Sequence, residues 1–179
     1  PEILLVTLNA RYIHAAFGLR YLLANLGELR ERAEIAEFDI NQRPLEIVEA
    51  ILAREPRVVG LGIYIWNVAT TTEVVALLKR LRPDVRVVLG GPEVSFEMEQ
   101  QEIVRLADHV ITGEADLQFA ETCRALLAGA EVPKIIAAVV TFVSLVMLWL
   151  ADALSRILEG TAAQVAQYVS ITKRYGEMP

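Results

Sequence analysis

The 179 residues are short of several things, and each shortage removes a class of chemistry. One cysteine, Cys123, cannot build a disulfide framework or a cysteine-based metal site, and a reducing setting is the default. Positive charge is not in excess: the net charge is −6 and no basic stripe appears, which argues against a nucleic-acid surface. No Gly-x-Gly-x-x-Gly follows the first strand-like run, and no Gly-x-x-x-x-Gly-Lys occurs, so neither phosphate-binding fingerprint is present. No loop gathers a cluster of metal ligands or a Ser/His/Asp set, so no catalytic and no metal residue is assigned. The chain starts at Pro1-Glu2 and runs straight into a strand pattern, which reads as a fragment without a signal peptide. Charge also runs out along the chain. Residues 1–134 carry 34 charged side chains, 14 basic and 20 acidic, while residues 135–179 carry six. That break divides an expected domain, 1–134, from an apolar tail, 135–179.

What is present alternates. Glu2–Leu8, Val58–Ile65, Val85–Leu89 and His109–Ile111 are continuous apolar runs, the mark of strands covered on both faces. Ala33–Ile40 alternates more and reads as an outer strand. Between the strands lie helical spacings: Ile13–Leu29, Leu45–Arg54 behind Pro44, Glu73–Leu81 behind a threonine triplet, Phe96–Leu106, and Leu117–Leu127 with Gly129 as its closing residue. Cys123 falls mid-helix and reads as core. Five strand–helix alternations with short connections imply a doubly wound α/β fold: a five-stranded parallel sheet in the flavodoxin-like order 2-1-3-4-5, with helices on both faces.

In such a sheet ligands gather at the carboxyl ends of the strands. Four loops lie there: Asn9–His14, Tyr64–Asn67, Gly90–Val94 and Gly113–Asp116. A response-regulator reading would need an aspartate at the end of the third strand, where Tyr64, Ile65 and Trp66 stand instead. A glycine-lined, partly aromatic edge without evident catalysts suits holding a large ligand better than transforming a small one.

Four segments carry a resemblance: LLVTLNARYIH, VVGLGIYIWN, VVLGGPEVS and VITGEAD. In this order they resemble the cobalamin (B12)-binding domain found in front of radical-SAM enzymes, in the branch that includes magnesium-protoporphyrin ester cyclase-like proteins. The resemblance covers about residues 2–138. It implies a cobalamin cofactor whose corrin lies across the carboxyl edge and whose nucleotide tail descends beside the glycine pair. By that resemblance Gly90 and Gly91 line the tail, with Tyr64, Ile65, Trp66 and Asn67 beside it, and Pro92 and Glu93 of the same loop count among the cofactor-binding residues. Asn9, Ala10, Arg11 and Tyr12, with Gly113, Glu114, Ala115 and Asp116, flank the corrin. Two departures stand out. The cobalt-ligating Asp-x-His-x-x-Gly of other B12 domains fails around His14, which has Tyr12 before it and Phe17 after it. The Cys-x-x-x-Cys-x-x-Cys of the radical-SAM half is absent, so this chain holds no iron–sulfur cluster and is not a complete catalyst. The resemblance implies a radical-SAM domain as a partner outside the chain.

Each signal also has an ordinary reading. Gly90-Gly91 suits a tight strand-to-helix turn, Tyr64 and Trp66 suit edge packing, and Glu114 and Asp116 suit a helix start. His14 suits a helix cap. Val132–Ala138 also offers the start of a sixth strand, and the tail holds Ile135–Ala151, seventeen residues without a charge, at the bottom of the roughly 17–25 residues that span a membrane. Beyond it, Leu154–Leu158 and Thr161–Thr172 read as further helices separated at Gly160. The expected location is cytoplasmic, with membrane or homo-oligomer contact through 135–151 as an open alternative. A rival function follows from the same tail: an interaction protein that has lost its ligand and associates through its apolar end.

Overall fold

A run of buried aliphatic residues needs cover on both faces, and Ile3–Asn9 (β1) has it: every residue from Ile3 to Leu8 is buried. The computed structural model describes residues 1–10, 16–95 and 98–138. Arg11, Tyr12 and His14, the first residues of the Ile13–Leu29 and Phe96–Leu106 helices, and the tail beyond Ala138 lie outside the described residues. After β1 come α1 (Phe17–Ala24), β2 (Ala33–Asp39), α2 (Pro44–Leu52), β3 (Val58–Gly62) and α3 (Val68–Leu81). Then follow β4 (Arg86–Gly90), α4 (Glu102–Leu106), β5 (His109–Thr112), α5 (Asp116–Leu127) and β6 (Ile135–Ala137).

All pairings are parallel, in the order β2-β1-β3-β4-β5-β6. The expected order 2-1-3-4-5 stands, with one correction: the sheet has six strands, not five. Ile135–Ala137 extends it, pairing Val110 with Ile135 and Thr112 with Ala137. The sheet therefore runs past the expected boundary at 134. The charge-free run 135–151 begins as a strand, which leaves 14 uncharged residues, 138–151, after it. Among the described residues, no helix is long and apolar enough to cross a membrane.

Two cores flank the sheet. On one face Leu4, Val6, Leu8, Val59, Leu61, Ile63, Val87 and Leu89 pack under α2, α3 and α4. On the other, Ile3, Leu5, Val58, Val88 and Ile111 pack under α1 and α5, with Leu19, Phe119 and Cys123. Burial pushes the Cys123 thiol up to about 12, so it is a small core hydrophobe rather than a nucleophile.

Several boundaries differ from the sequence expectation for identifiable reasons. α1 stops at Ala24 because Asn25 folds its side-chain amide back onto the Tyr21 carbonyl at 2.9 Å; a 3-10 segment, Gly27–Arg32, then leads into β2. α3 starts a turn and a half early, at Val68, and absorbs the threonines. Thr72 Oγ1 donates to Val68 O at 2.6 Å, a back-bond that lets a β-branched hydroxyl sit inside a helix. α4 is only Glu102–Leu106, preceded by a 3-10 turn, because Gln101 is extended and donates its amide to Glu93 O. α5 ends as expected. Ala130 N donates to Ala125 O and Gly129 N to Leu126 O, with Gly129 at φ +75°, the paired bonds of a Schellman closure.

The amino edge is held by charge. Lys79 Nζ, at the end of α3, donates to Pro83 O, Val85 O and both carboxylate oxygens of Asp108, and Asp108 also accepts from Val87 N–H. Its side chain and that of Asp108 are 18% and 17% exposed, so the pair is worth more than a surface bridge. Lys79→Met takes the nearest cation from a mostly buried carboxylate, leaving it the Val87 N–H and Arg86 at 3.5 Å, and a loss of roughly 2–3 kcal/mol is expected in urea unfolding. Arg82→Met, which breaks an exposed bridge to Asp84, should cost much less; equal losses would refute the contrast. Glu2 sits at the same edge, where Arg32 first and then Arg57 hold its carboxyl down from 4.5 to about 2. Its contribution is therefore complete above pH 4.5 and disappears as pH falls toward 2. Glu2→Gln should flatten the stability–pH curve in that window only.

Candidate functional site

Side chains alternate between the two faces of a strand, so each face can be followed by every second residue. On the α2/α3 face the central strands stay aliphatic to their ends. On the α1/α5 face they do not. There β1 runs Ile3, Leu5, Thr7, Asn9; β3 runs Val58, Gly60, Gly62; β4 runs Val88, Gly90. The amino half of that face is packed and the carboxyl half is nearly bare. Gly62 is paired with Gly90 and Gly60 with Val88, so the bare positions adjoin across the ladder. The result is a cleft of about 480 Å³ between sheet, α1 and α5, within the roughly 300–1,000 Å³ of small-molecule sites. It lies at the switch point of the topology, where β1 is flanked by β2 and β3.

The two glycines of the Gly90-Gly91 pair do different work. A β-carbon on Gly90 would meet nothing nearer than 3.9 Å, beside Ile111 O and Ala115, both at the cleft wall. A β-carbon on Gly91 would lie 2.4 Å from Ile63 O, and Gly91 has φ +113°. Gly90 keeps the cleft clear, whereas Gly91 lets the loop backbone pass against β3. Deeper down, the Phe119 ring lies on bare backbone at Gly60, 2.7 Å from where a β-carbon would be.

Hydrogen bonds from two side chains hold the loops. Asn67 is fully buried: its amide donates to Leu8 O and Gly62 O, and its Oδ1 accepts from Tyr64 N–H at 2.8 Å. This pulls the chain out of β3 after Gly62, which is why the apolar run 58–65 ends as a strand three residues early. Ser95 Oγ donates to Gly91 O at 2.9 Å and accepts from Gly113 N–H at 3.4 Å, joining the two glycine loops. Above them Tyr64 stacks on Trp66, with ring centroids 4.6 Å apart and planes 7° apart. The Tyr64 ring lies over Gly62 and its hydroxyl reaches Gly18 of α1. Phe17 is 82% and Trp66 51% exposed, so the mouth is aromatic and apolar.

The α1 wall is fixed from the edge strand. Glu37 of β2 accepts from Ala16 N–H at 2.8 Å and from both terminal nitrogens of Arg20. Arg20, and then the Ala16 N–H, hold its carboxyl below the ordinary range. At the opposite wall Asp116 opens α5; burial first, and then the Glu114 charge, raise its carboxyl above the ordinary value.

Of the residues expected from sequence, Asn9, Tyr64, Trp66, Gly90, Gly91, Gly113, Glu114, Ala115 and Asp116 line the cleft. Ala10, Ile65, Asn67, Pro92 and Glu93 do not: Ile65 is 76% exposed at the loop tip, and Asn67 faces backbone. Sequence reasoning missed Thr7, Phe17, Gly60, Gly62 and Phe119. The signal for the strand positions was present, as Thr-x-Asn and Gly-x-Gly on one face of consecutive strands. Phe119 gives no such signal, because only the fold brings it to Gly60.

Gly91→Ala forces a β-carbon into the Ile63 backbone at positive φ and should cost about 2–3 kcal/mol or more in urea unfolding. Gly90→Ala should stay within about 1 kcal/mol of the parent. Similar losses would contradict the division of labour.

A family model described as a B12 binding domain matches residues 3–122. No curated protein matches the chain. Among solved structures, the radical S-adenosylmethionine methyltransferase TsrM from Kitasatospora setae has a TM-score of 0.56 at 22% identity, over 72% of this chain and 26% of that one. The methanol:cobalamin methyltransferase complex MtaBC from Methanosarcina barkeri has 0.52 at 16% identity, over 72% and 47%. A CheY-like protein, tadZ, from Pseudomonas aeruginosa PAO1 has 0.50 at 18% identity, over 73% and 95%. These likenesses are of fold, and one fold carries many functions. This chain spans about a quarter of TsrM and under half of the MtaBC chain it matches. The family match is of another kind, since it takes in about two thirds of the residues and every strand that forms the cleft floor. The chain belongs to the B12 binding domain family.

Proposed function

We propose that this chain is a cobalamin-binding module, the leading part of a larger B12-dependent radical-SAM enzyme that works in the cytoplasm. The observation that carries the reading is the half-bare sheet face. Gly62 and Gly90, with the Phe119 ring lying on Gly60, leave a cleft of about 480 Å³ with an apolar floor, sized for the nucleotide tail of cobalamin rather than for its macrocycle. The corrin would then rest on the rim, against the Tyr64–Trp66 stack and Phe17. A flat apolar surface of that kind suits a macrocycle too wide to enter.

The fit extends to the donor set. Thr7 and Asn9 place polar side chains along one wall of the cleft, and Gly90, Gly91 and Gly113 bring backbone against it. None of the described lining residues is a histidine, and His109 is tied at Nδ1 to Pro133 O, outside the cleft lining. These residues would therefore hold the cofactor through its tail and periphery. Bound cobalamin supplies a cobalt centre able to carry a transferable group. The chain's own part is to bind, to orient the corrin face outward and to keep water from the tail. The reacting partner, a radical-SAM or methyltransferase domain, lies outside this chain.

Hydroxocobalamin added to the purified chain should co-elute on gel filtration at micromolar concentration, with a shift in corrin absorption. Gly90→Leu, which fills the cleft from an unstrained position, should weaken binding at least about tenfold without lowering the unfolding midpoint greatly. No co-elution with the parent chain would overturn the reading.

A further inference from the structure

Charge among the described lining residues of the cleft is of one sign. Among the described lining residues there is no lysine, arginine or histidine; the carboxylates are Glu114 and Asp116. This is unusual for the place. At the carboxyl edge of a parallel sheet, helix amino ends offer N–H groups and a positive dipole end, and anions collect there. Here the two helices that wall the cleft meet carboxylates of the chain itself. Glu37 takes the Ala16 N–H just before α1. Asp116 is the first residue of α5 and lines the cleft.

Asp116 is also in an expensive environment. It is half-buried, no described residue donates a hydrogen bond to its carboxylate, and burial with the Glu114 charge favours the protonated form. A second anion brought beside it would add repulsion to a carboxylate whose charged form is already disfavoured. A neutral N–H2 donor would supply a hydrogen bond to the carboxylate that no described residue of the chain makes.

We propose that Asp116 selects the charge of the ligand: its carboxylate accepts hydrogen bonds from primary amides on the rim of a corrinoid and excludes corrinoids in which those amides are carboxylates. This rests on the corrinoid reading above and names the feature of the ligand that the cleft distinguishes.

The probes are cyanocobalamin and its three propionate monocarboxylic acids, which keep the tail and differ by one amide hydrolysed to a carboxylate. Equilibrium binding to the parent chain should show at least one monoacid about tenfold weaker than cyanocobalamin. Asp116→Asn should shrink that ratio at least fivefold, mainly by tightening the monoacid, while Asp116→Glu keeps it. An independent check needs no variant: raising the salt concentration should narrow the ratio for the parent chain, because screening weakens the repulsion. Equal affinity of the parent chain for all four corrinoids, or a ratio unmoved by both Asp116→Asn and salt, overturns the proposal and leaves the corrinoid reading intact. Failure of the parent chain to bind cyanocobalamin itself overturns both.

Discussion

Where β3 runs beside β4, Gly62 faces Gly90 across the ladder and Gly60 faces Val88. Three of these four positions carry no side chain on the α1/α5 face. That local lack of side chains is the constraint on which the cleft, and the functional reading, depend. It has a cost. A strand glycine gives up packing and extra backbone entropy, and two cores must stabilise a sheet with a partly empty face. The opposite face compensates with an unbroken aliphatic layer from Leu4 to Leu8 and from Val59 to Ile63. The asymmetry between faces, rather than any single residue, separates the binding side of the sheet from the structural side.

An empty floor is useful only if its rim is rigid. The backbone loops at the mouth are held by groups that never face the cleft. Asn67 spends its whole side chain on three backbone groups of β1, β3 and the following turn. Ser95 joins the Gly91 and Gly113 loops through one hydroxyl. Glu37 reaches from the edge strand to fix the start of α1. Each bond satisfies a backbone group that a loop would otherwise leave to water, and each removes a degree of freedom before a ligand arrives. Much of the site's shape therefore depends on residues that a ligand contact map would omit.

The same division explains the two glycines that look alike in sequence. Gly91 serves the fold, because Ile63 backbone occupies the space where its side chain would be. Gly90 serves the cleft, because nothing does. A motif of adjacent glycines thus combines one steric requirement of packing and one of binding, and only coordinates assign them.

Much of the architecture was legible in the residues. Continuous apolar runs marked strands buried on both faces, the alternation of Ala33–Ile40 marked the edge, and the strand–helix rhythm led to parallel strands in the order 2-1-3-4-5. These depend on local periodicity and chain connectivity, which a linear sequence carries in full. The glycine loops and the resemblance they support were legible for the same reason. What the tertiary structure decided was everything that rests on distance between segments. It turned the open reading of Val132–Ala138 into β6, because three residues beside β5 gain a ladder that hydropathy alone does not decide. It ended β3 at Gly62 through the side chain of Asn67, five residues on. It placed Phe119 under Gly60 and turned Asn67 away from the cleft. Sequence determined which elements form and in what order they pair; the three-dimensional packing decided which side of each loop is open, since that depends on atoms far apart in the chain arriving at the same place.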